Sequence, residues 1–599
     1  MQTGGTLTRQ RLWPHTLAVC LILAAIGVAS GWTGSIINSD EAATLSQAEI
    51  VRTTGAWGIV NPAFEIDPEG RWFAIDRSEQ AAGRFYPYTK HIVYPMIVRL
   101  LGDIGGLRMV LAMQGVAVGL AAGLAALMMK RLVSERPKAD RLVVLTVWVV
   151  GLGSPLAFDS SWVMAHGYGA LAGGLAGFGA LVMTMTESPR RPVMLGPVVA
   201  LATGISVGVL LRSEGVLWGL SLAVALGFTG VARRHRPTIM AAILAMVAAL
   251  ATYRFDTAIA QAAQGSAEAF VIEDSVPWLS GRLPGFFNSF LRTTYGDDQM
   301  SAVLPGVAAI GTAAAWFLAA RLSAATAAAE RRAAVIAASA ATAAWVLYLL
   351  WQIVVGYDTM PGLLIASPVV LAAVASHRVE RDVLRSPGRS TLGWVHRQPG
   401  VAMLCIAWVA LIGATIATQY AAGGSMDWGG RYLHLGLPVG IVISILGLSR
   451  VIRSAPSPGL RPVLGLLAAS VLLVSMSGVV LSVGQHRVAG QTVDKIAQRI
   501  SLDPSAAEPG GAVVVTTNPA LGRALWPQAL TQRWLSILTT SDARDAAPGL
   551  DLNTASFVLV VSPDEVSQFV DSFAPEFRAV GPVSTTSSLA FVHMERIRR

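Results

Sequence analysis

Residues 35–57 read SIINSDEAATLSQAEIVRTTGAW, and they follow an apolar run covering about residues 14–34. The run is long enough to cross a bilayer as a helix. Directly behind it stand two adjacent carboxylates, Asp40 and Glu41. Charge at membrane depth is costly, and a side chain carrying it there is a functional candidate by default. A plainer account is a helix start, with Ser39 or Asp40 as N-cap and an acid in the first turn favoured by the helix dipole. The two accounts are compatible, because a capping carboxylate can also take a proton from a hydroxyl.

The surrounding chain explains why two acids stand out. Of its 599 residues, 53% are hydrophobic and only 14% are charged, with a mean hydropathy of +0.55. So little charge belongs to a polytopic membrane protein rather than a soluble enzyme. The net charge of +9 sits in loops between apolar runs and marks no nucleic-acid surface. Cys20 and Cys405 lie inside apolar stretches, which argues against a disulfide framework or a zinc–cysteine site. The first apolar run reads as an uncleaved helix rather than a secretory signal, since many more spans follow it.

Hydropathy places spans near 14–34, 107–130, 142–158, 164–185, 193–211, 214–232, 238–254, 302–322, 333–355, 361–376, 399–418, 432–449 and 462–483, about thirteen in all. Charge orders them. With Arg9 and Arg11 in the cytoplasm, alternate turns carry MMKRLVSERPKADR (128–141), SPRRP (188–192), ARRHRP (232–237), ERRAA (330–334), HRVERDVLRSPGRS (377–390) and SRVIRSAPSPGLR (449–461). All are basic, as cytoplasmic loops are. The opposite side receives FDSSW (158–162), LRSEG (211–215), GYDTMPG (356–362) and GGSMDWGGRY (423–432), which carry little net charge. An odd number of spans leaves the C-terminal tail outside.

Two outer segments exceed mere connectors. Residues 35–106 hold two amphipathic stretches, DEAATLSQAEIVRTTG (40–55) and HIVYPMIVRLLGDI (91–104), expected as helices along the membrane surface. Residues 255–300 include the acids Glu273, Asp274, Asp297 and Asp298, whose spacing matches no cation-binding loop. The chain therefore divides into a membrane part, 1–484, and a tail, 485–599. In the tail, strand-like AVVVTT (512–517), SFVLVVSP (556–563) and LAFVHMERI (589–597) alternate with helix-like LGRALWPQALTQRWLSIL (521–538) and DEVSQFVDSF (564–573). A small α/β domain is expected there.

The topology brings scattered polar residues to the outer ends of spans: Asp40, Glu41, the stretch RFYPYTKHIVYP (84–95), Asp159, His166, Arg212, Tyr357, Asp358, Asp427 and Arg431. Each also has a structural reading. The tyrosines of 84–95 suit an interfacial aromatic belt, with Lys90 either snorkelling or acting as a point charge for a phosphate. His166 in MAHGYGALAGG suits packing in a glycine-rich helix seam. Arg212 and Glu214 suit a local ion pair in a turn. Arg431, opening a span, needs either Asp427 or an anionic ligand.

This pattern resembles the GT-C superfamily of membrane glycosyltransferases, in particular the branch of protein O-mannosyltransferases and lipid A aminoarabinose transferases. That branch has an acidic pair after its first span, matched by Asp40 and Glu41 in SDEA, and a large first outer loop. Its Lys-Pro-Pro-Leu-Tyr type motif resembles TKHIVYP, with Lys90 in the lysine position and Tyr94 near the aromatic one. His91 and Ile92 replace the two prolines, which departs from the family pattern. Asp159 is similar in placement to a second family acid, and GGRYLHLGLP resembles the late Arg-Tyr…Pro motif at Arg431, Tyr432 and Pro438.

The resemblance implies a GT-C-like helical membrane protein that moves a sugar from a polyprenyl-phosphate donor to an envelope glycan, lipid or protein by inverting displacement. It implies Asp40, Glu41 and Asp159 as catalytic residues, with Lys90, His91, Tyr94, Arg212, Arg431 and Tyr432 on the donor and its phosphate. No cofactor is certain; a divalent cation, Mg or Mn, at Asp40 and Glu41 is the candidate. Mannose transfer in cell-wall assembly is one expected activity, and a plasma-membrane location is expected. A transporter of lipid-linked sugars or a non-catalytic polysaccharide-assembly protein are the competing readings; the large acidic first loop and the absence of visible inverted repeats favour the enzyme.

Overall fold

The computed structural model describes residues 4–31, 39–75, 84–86, 91–133, 139–187, 191–264, 290, 363, 391–418, 430–454, 490–507, 511–574, 576–586 and 589–597. The spans expected near 302–322, 333–355 and 462–483, that near 361–376 apart from Leu363, and the acids Glu273, Asp274, Asp297 and Asp298 lie outside these residues.

Twelve described helices build the membrane part and its outer loop. They are α1 (Gly4–Gly31), α2 (Ser39–Thr54), α3 (Val93–Val133), α4 (Ala139–Gly151), α5 (Leu156–Asp159), α6 (His166–Met185), α7 (Arg191–Leu211), α8 (Glu214–Arg233), α9 (Arg236–Gln264), α10 (Thr391–Arg397), α11 (Pro399–Thr418) and α12 (Leu437–Ser454). Among the described residues six helices are long and apolar enough to cross a membrane, and Leu195–Leu211 and Leu437–Arg450 are shorter apolar helices. Leu17, Leu21, Leu195, Val231, Met240 and Val409 are exposed on their outer faces. Such surface is stable against lipid and not against water. The chain is a membrane protein.

Glycine decides how closely these helices approach. Gly115, Gly119 and Gly123 recur every fourth residue of α3 and face α1. A Cβ would strike the backbone of Leu23 at the first, Cys20 at the second and the Thr16 side chain at the third. This small-residue seam lets dispersion contacts form between backbones, since lipid offers apolar side chains no reason to leave it. The surface stretch expected at 91–104 and the span expected after it are both helical and follow one another within α3, but Gly105 and Gly106 leave helical geometry between them, so a kink divides α3 into two helices. Gly106 takes φ +66°, which a side chain would resist. The span expected at 142–158 is shorter than drawn. Residues 152–155 form a turn, and α5 follows it.

The tail folds as expected in class, with one five-stranded sheet in the order β2-β1-β3-β5-β4. The strands are β1 (Val513–Thr516), β2 (Arg533–Ser536), β3 (Ser556–Val561), β4 (Phe577–Thr586) and β5 (Leu589–Arg596). β1 runs parallel to β2 and β3, while β5 is antiparallel to β3 and β4. The stretch 521–538, read as helical from its composition, splits into two short helices, Pro519–Ala524 and Trp526–Ala529, and then the strand β2. Pro527 starts the second helix and cannot continue the first. Burial of Trp534 and Leu535 against the sheet outweighs the helical propensity of the segment.

Two apolar clusters, one on each face of the sheet, join the tail to the first outer segment. Ala63 and Ile66 pack with Leu535, Leu550 and Phe573. On the other face Ile50 of α2, Phe73 and Phe85 pack with Val514 and Trp534. Phe73 forms a bridge with Leu535, and the Ser536 amide donates to the Trp72 carbonyl at 2.8 Å.

Candidate active site

The polar residues gather where helices begin and end. Asp40 and Glu41 occupy the first turn of α2, Asp159 ends α5, and His166 opens α6. Arg212 lies in the turn between α7 and α8, and Glu214 opens α8. Arg431 begins a single 3₁₀ turn, Arg431–Leu433, that leads through His434 into α12. Gly430 precedes it at φ +71°, a left-handed backbone conformation that favours glycine. The turn is pressed onto α6, because Gly173 leaves room for the Leu435 carbonyl where a Cβ would collide with it.

Contacts across the fold connect these ends. Arg431 Nη1 donates to Asp40 Oδ2 at 3.1 Å, Nη2 donates to the Tyr432 hydroxyl at 3.1 Å, and the guanidinium lies 4.9 Å from the Tyr432 ring centroid. Glu41 is fully buried, and its Oε1 accepts the Val163 amide at 2.8 Å, fixing α2 to the turn before α6. His434 Nδ1 donates to Asp159 Oδ2 at 2.8 Å, since a carboxylate only accepts. Arg212 holds Glu214 through two bonds, 3.1 Å from Nε and 2.6 Å from Nη2, while its Nη1 donates to His166 Nε2 at 2.9 Å. The His166 and His434 rings meet edge to face, 5.2 Å between centroids. Burial pushes the Asp159 carboxyl above its ordinary range, against the pull of His434 and Arg212.

The arrangement offers a partly exposed carboxylate beside a guanidinium and, next to them, a buried carboxylate–imidazole group. A partly exposed acid can accept a proton, and a guanidinium can hold an anion through two donors.

The fold has relatives of known structure. The chain superposes on ArnT from Cupriavidus metallidurans bound to undecaprenyl phosphate with a TM-score of 0.52, at 13% identity, over 98% of each chain. ArnT is a lipid A aminoarabinose transferase of the GT-C superfamily. This chain has a GT-C fold. A looser likeness, TM-score 0.49 at 12% identity, covers 93% of this chain and 70% of the oligosaccharyltransferase AglB from Archaeoglobus fulgidus, solved with an inhibitory peptide and a dolichol-phosphate. The sequence matches no family model and no curated protein.

Within the GT-C bundle the residues singled out from sequence fall into three places. Asp40, Arg431 and Tyr432 form one contact group, and the neighbouring Glu41 ties α2 to Val163. Asp159 and Arg212 belong to the adjoining buried group. His91 Nδ1 is 2.9 Å from Asp256 of α9 and is buried, while the Tyr94 hydroxyl accepts from Gln114 at 3.3 Å and the Tyr94 ring meets Tyr168 of α6 and packs with Ala48 of α2, Val163 and Ala165. Lys90, Tyr357, Asp358 and Asp427 lie outside the described residues. Of the acids expected to hold a cation, Asp40 faces Arg431 and Glu41 faces a backbone amide. Among the described residues the one group that converges ligand atoms is Asp159, His166 and His434.

His434 was not legible as a site residue. Its only sequence signal is its position three residues after Arg431, where a single turn before a span carries both side chains inward.

Proposed function

We propose that the chain is a membrane glycosyltransferase that moves a sugar from a polyprenyl-phosphate donor to a glycan, glycolipid or protein acceptor at the outer face of the plasma membrane. The meeting of Asp40 with Arg431 carries this reading: an acid after the first span and a cation from the turn before α12 stand 3.1 Å apart. Undecaprenyl phosphate bound to ArnT supports the donor class. Polyprenyl-phosphate sugars present their sugar at headgroup depth, which is where the ends of spans lie.

The chemistry follows from those two groups. The acceptor hydroxyl oxygen bonds to the anomeric carbon as the bond from that carbon to the phosphate oxygen breaks. The electron pair leaves with the lipid phosphate, whose growing charge Arg431 stabilises. The hydroxyl proton passes to Asp40, and the configuration inverts in one step. Because the phosphate leaves readily, no strong general acid is required.

Purified protein in proteoliposomes, given radiolabelled polyprenyl-phosphate mannose, arabinose or other sugars with an envelope extract, tests the reading. Label should pass from lipid to extract. Failure with every donor overturns the reading, and movement of the intact lipid-linked sugar across the bilayer would favour a transporter instead.

A further inference from the structure

Arg233, Arg234, His235 and Arg236 make the turn between α8 and α9, and residues 230–240 contain no acid. Local structure accounts for the first arginine. Arg233 ends α8, where the helix dipole favours a cation, and its Nη1 donates to the Thr184 carbonyl at the end of α6 at 2.7 Å. The other two arginines stand where local structure disfavours them. Arg234 follows α8 at φ +52°, and among the described residues it is the single non-glycine residue with a positive φ. The His235 amide donates to the Gly230 carbonyl at 2.8 Å and the Arg234 amide to the Val231 carbonyl at 3.0 Å, a helix closure that glycine makes with less strain. Arg236 is the first residue of α9, whose first turn has no acid, and the dipole of a helix start repels a cation. Arg234 and Arg236 are both exposed, and no described residue forms a hydrogen bond or ion pair with either side chain.

Membrane sidedness does not explain these placements. A cytoplasmic loop needs basic charge, but it would be as basic with glycine at 234 and the arginine elsewhere in the loop. The charge of the turn is also uncompensated. Burial and the field of Arg233 push the His235 imidazole below its ordinary value, against the pull of the Thr186 backbone and Glu187. An anion at the turn relieves that repulsion, and the neighbouring surface says which anion. Phe228 and Val231 on α8 and Met240 and Ile243 on α9 are exposed. The two helices stay in contact up to the turn, since a Cβ at Gly230 would strike Ile239. Exposed cations therefore adjoin lipid-facing apolar residues on both helices. A diacyl lipid beside this hairpin sets its phosphate at the level of the turn and its chains along those residues. With no acid in 230–240 to meet an ammonium, a headgroup of net negative charge fits better than a zwitterionic one.

We propose that Arg234 and Arg236 bind the phosphate of one anionic glycerophospholipid in the leaflet that the α8–α9 turn faces, the cytoplasmic leaflet by the charge alternation. Each guanidinium offers a phosphate two parallel donors. The site does not rest on the transferase reading.

Native mass spectrometry of the full-length protein in detergent, titrated with phosphatidylglycerol or with phosphatidylcholine, tests the site alongside thermal unfolding. One phosphatidylglycerol should bind about twentyfold tighter than phosphatidylcholine and raise the melting temperature. Arg234→Gly and Arg236→Gln should each lose about fivefold of that preference, the share of one arginine at a membrane surface. Arg131 is exposed at the end of α3 and serves as the control, so Arg131→Gln should keep the preference. Without lipid, Arg234→Gly should melt higher than wild type, because glycine relieves the backbone at φ +52°. A lower melting temperature would mean that the arginine serves the turn itself, which overturns the argument from its placement. Equal affinity for the two lipids, Arg234→Gly and Arg236→Gln proteins that keep the preference, or an equal loss in Arg131→Gln each overturns the site. Equal protection by inorganic phosphate or polyglutamate without lipid assigns the turn to a soluble anion or an acidic protein and overturns it as well. A failed sugar-transfer assay leaves the lipid site standing, and a lost lipid preference leaves the transferase reading standing.

Discussion

Asp40 stands in the first turn of α2 and meets Arg431. Asparagine matches aspartate in size, so Asp40→Asn fills the same place in that turn but removes the oxygen that takes a proton. The transfer rate should fall by about a hundredfold or more while the protein stays folded and binds donor. A near-normal rate would move the base to Glu41 or Asp159. Arg431→Ala should instead weaken donor binding by roughly tenfold or more, measured by titration with the non-hydrolysed lipid phosphate. Unchanged affinity would remove Arg431 from the phosphate. The acids were readable because each adjoins an apolar run in a chain otherwise poor in charge. The pairing of His434 with Asp159 was not, because 275 residues separate the partners and nothing local in LHLGLP requires an acid.

At the scale of elements, hydropathy located several spans closely. The runs expected at 164–185, 214–232 and 399–418 became His166–Met185, Glu214–Arg233 and Pro399–Thr418. Length and apolarity are enforced by the bilayer, so they show in composition. Tertiary choices do not show there: the bend at Gly105–Gly106 and the strand β2 inside a helix-like stretch depend on what the segment packs against. Close approach is equally hidden in a glycine-rich helix, yet the structure separates neighbouring glycines. Gly173 admits the Leu435 carbonyl, whereas a Cβ at Gly174 would meet only Leu124 and Pro438 at ordinary distances of 3.7–3.8 Å. Gly173→Ala should therefore displace the 431–435 turn, lower stability by about 1–3 kcal/mol and depress transfer. Gly174→Ala should change the melting temperature little. Equal melting temperatures for the two variants would show that the turn is not held by this contact.

For the whole molecule, the charge alternation and the joined clusters make separate claims. Basic turns predict that loops 130–141 and 377–397 face the cytoplasm and that the tail lies outside. Single-cysteine variants at Ser501 and Ser386 in intact cells should label at 501 and not at 386 with an impermeant reagent; the opposite pattern reverses the topology. The joined clusters predict that the tail holds the outer loop, and through it α2 with its acids. Arg71 of the loop reaches Asp542 at 2.7 Å and Asp545 at 2.9 Å on the tail helix Thr540–Asn553. The Thr539 hydroxyl, which donates to Asp542, and the Arg71 guanidinium hold the Asp542 carboxyl below its ordinary range. A carboxyl depressed in the folded state contributes stability that is present above its unfolded pKa, about 3.9, and is lost as pH falls through the folded value. Asp67 acts with the opposite sign. Burial raises its carboxyl despite bonds from the Arg71 and Trp72 amides, so its contribution is present at low pH and lost as pH rises through the raised value. Comparing wild type with Asp542→Asn cancels the Asp67 contribution. The melting temperature of the full-length wild type should exceed that of Asp542→Asn at neutral pH, and the gap should close as pH falls below about 4. A gap that is absent at neutral pH, or that widens on acidification, would show that this ion pair does not fasten the tail to the loop that carries the site.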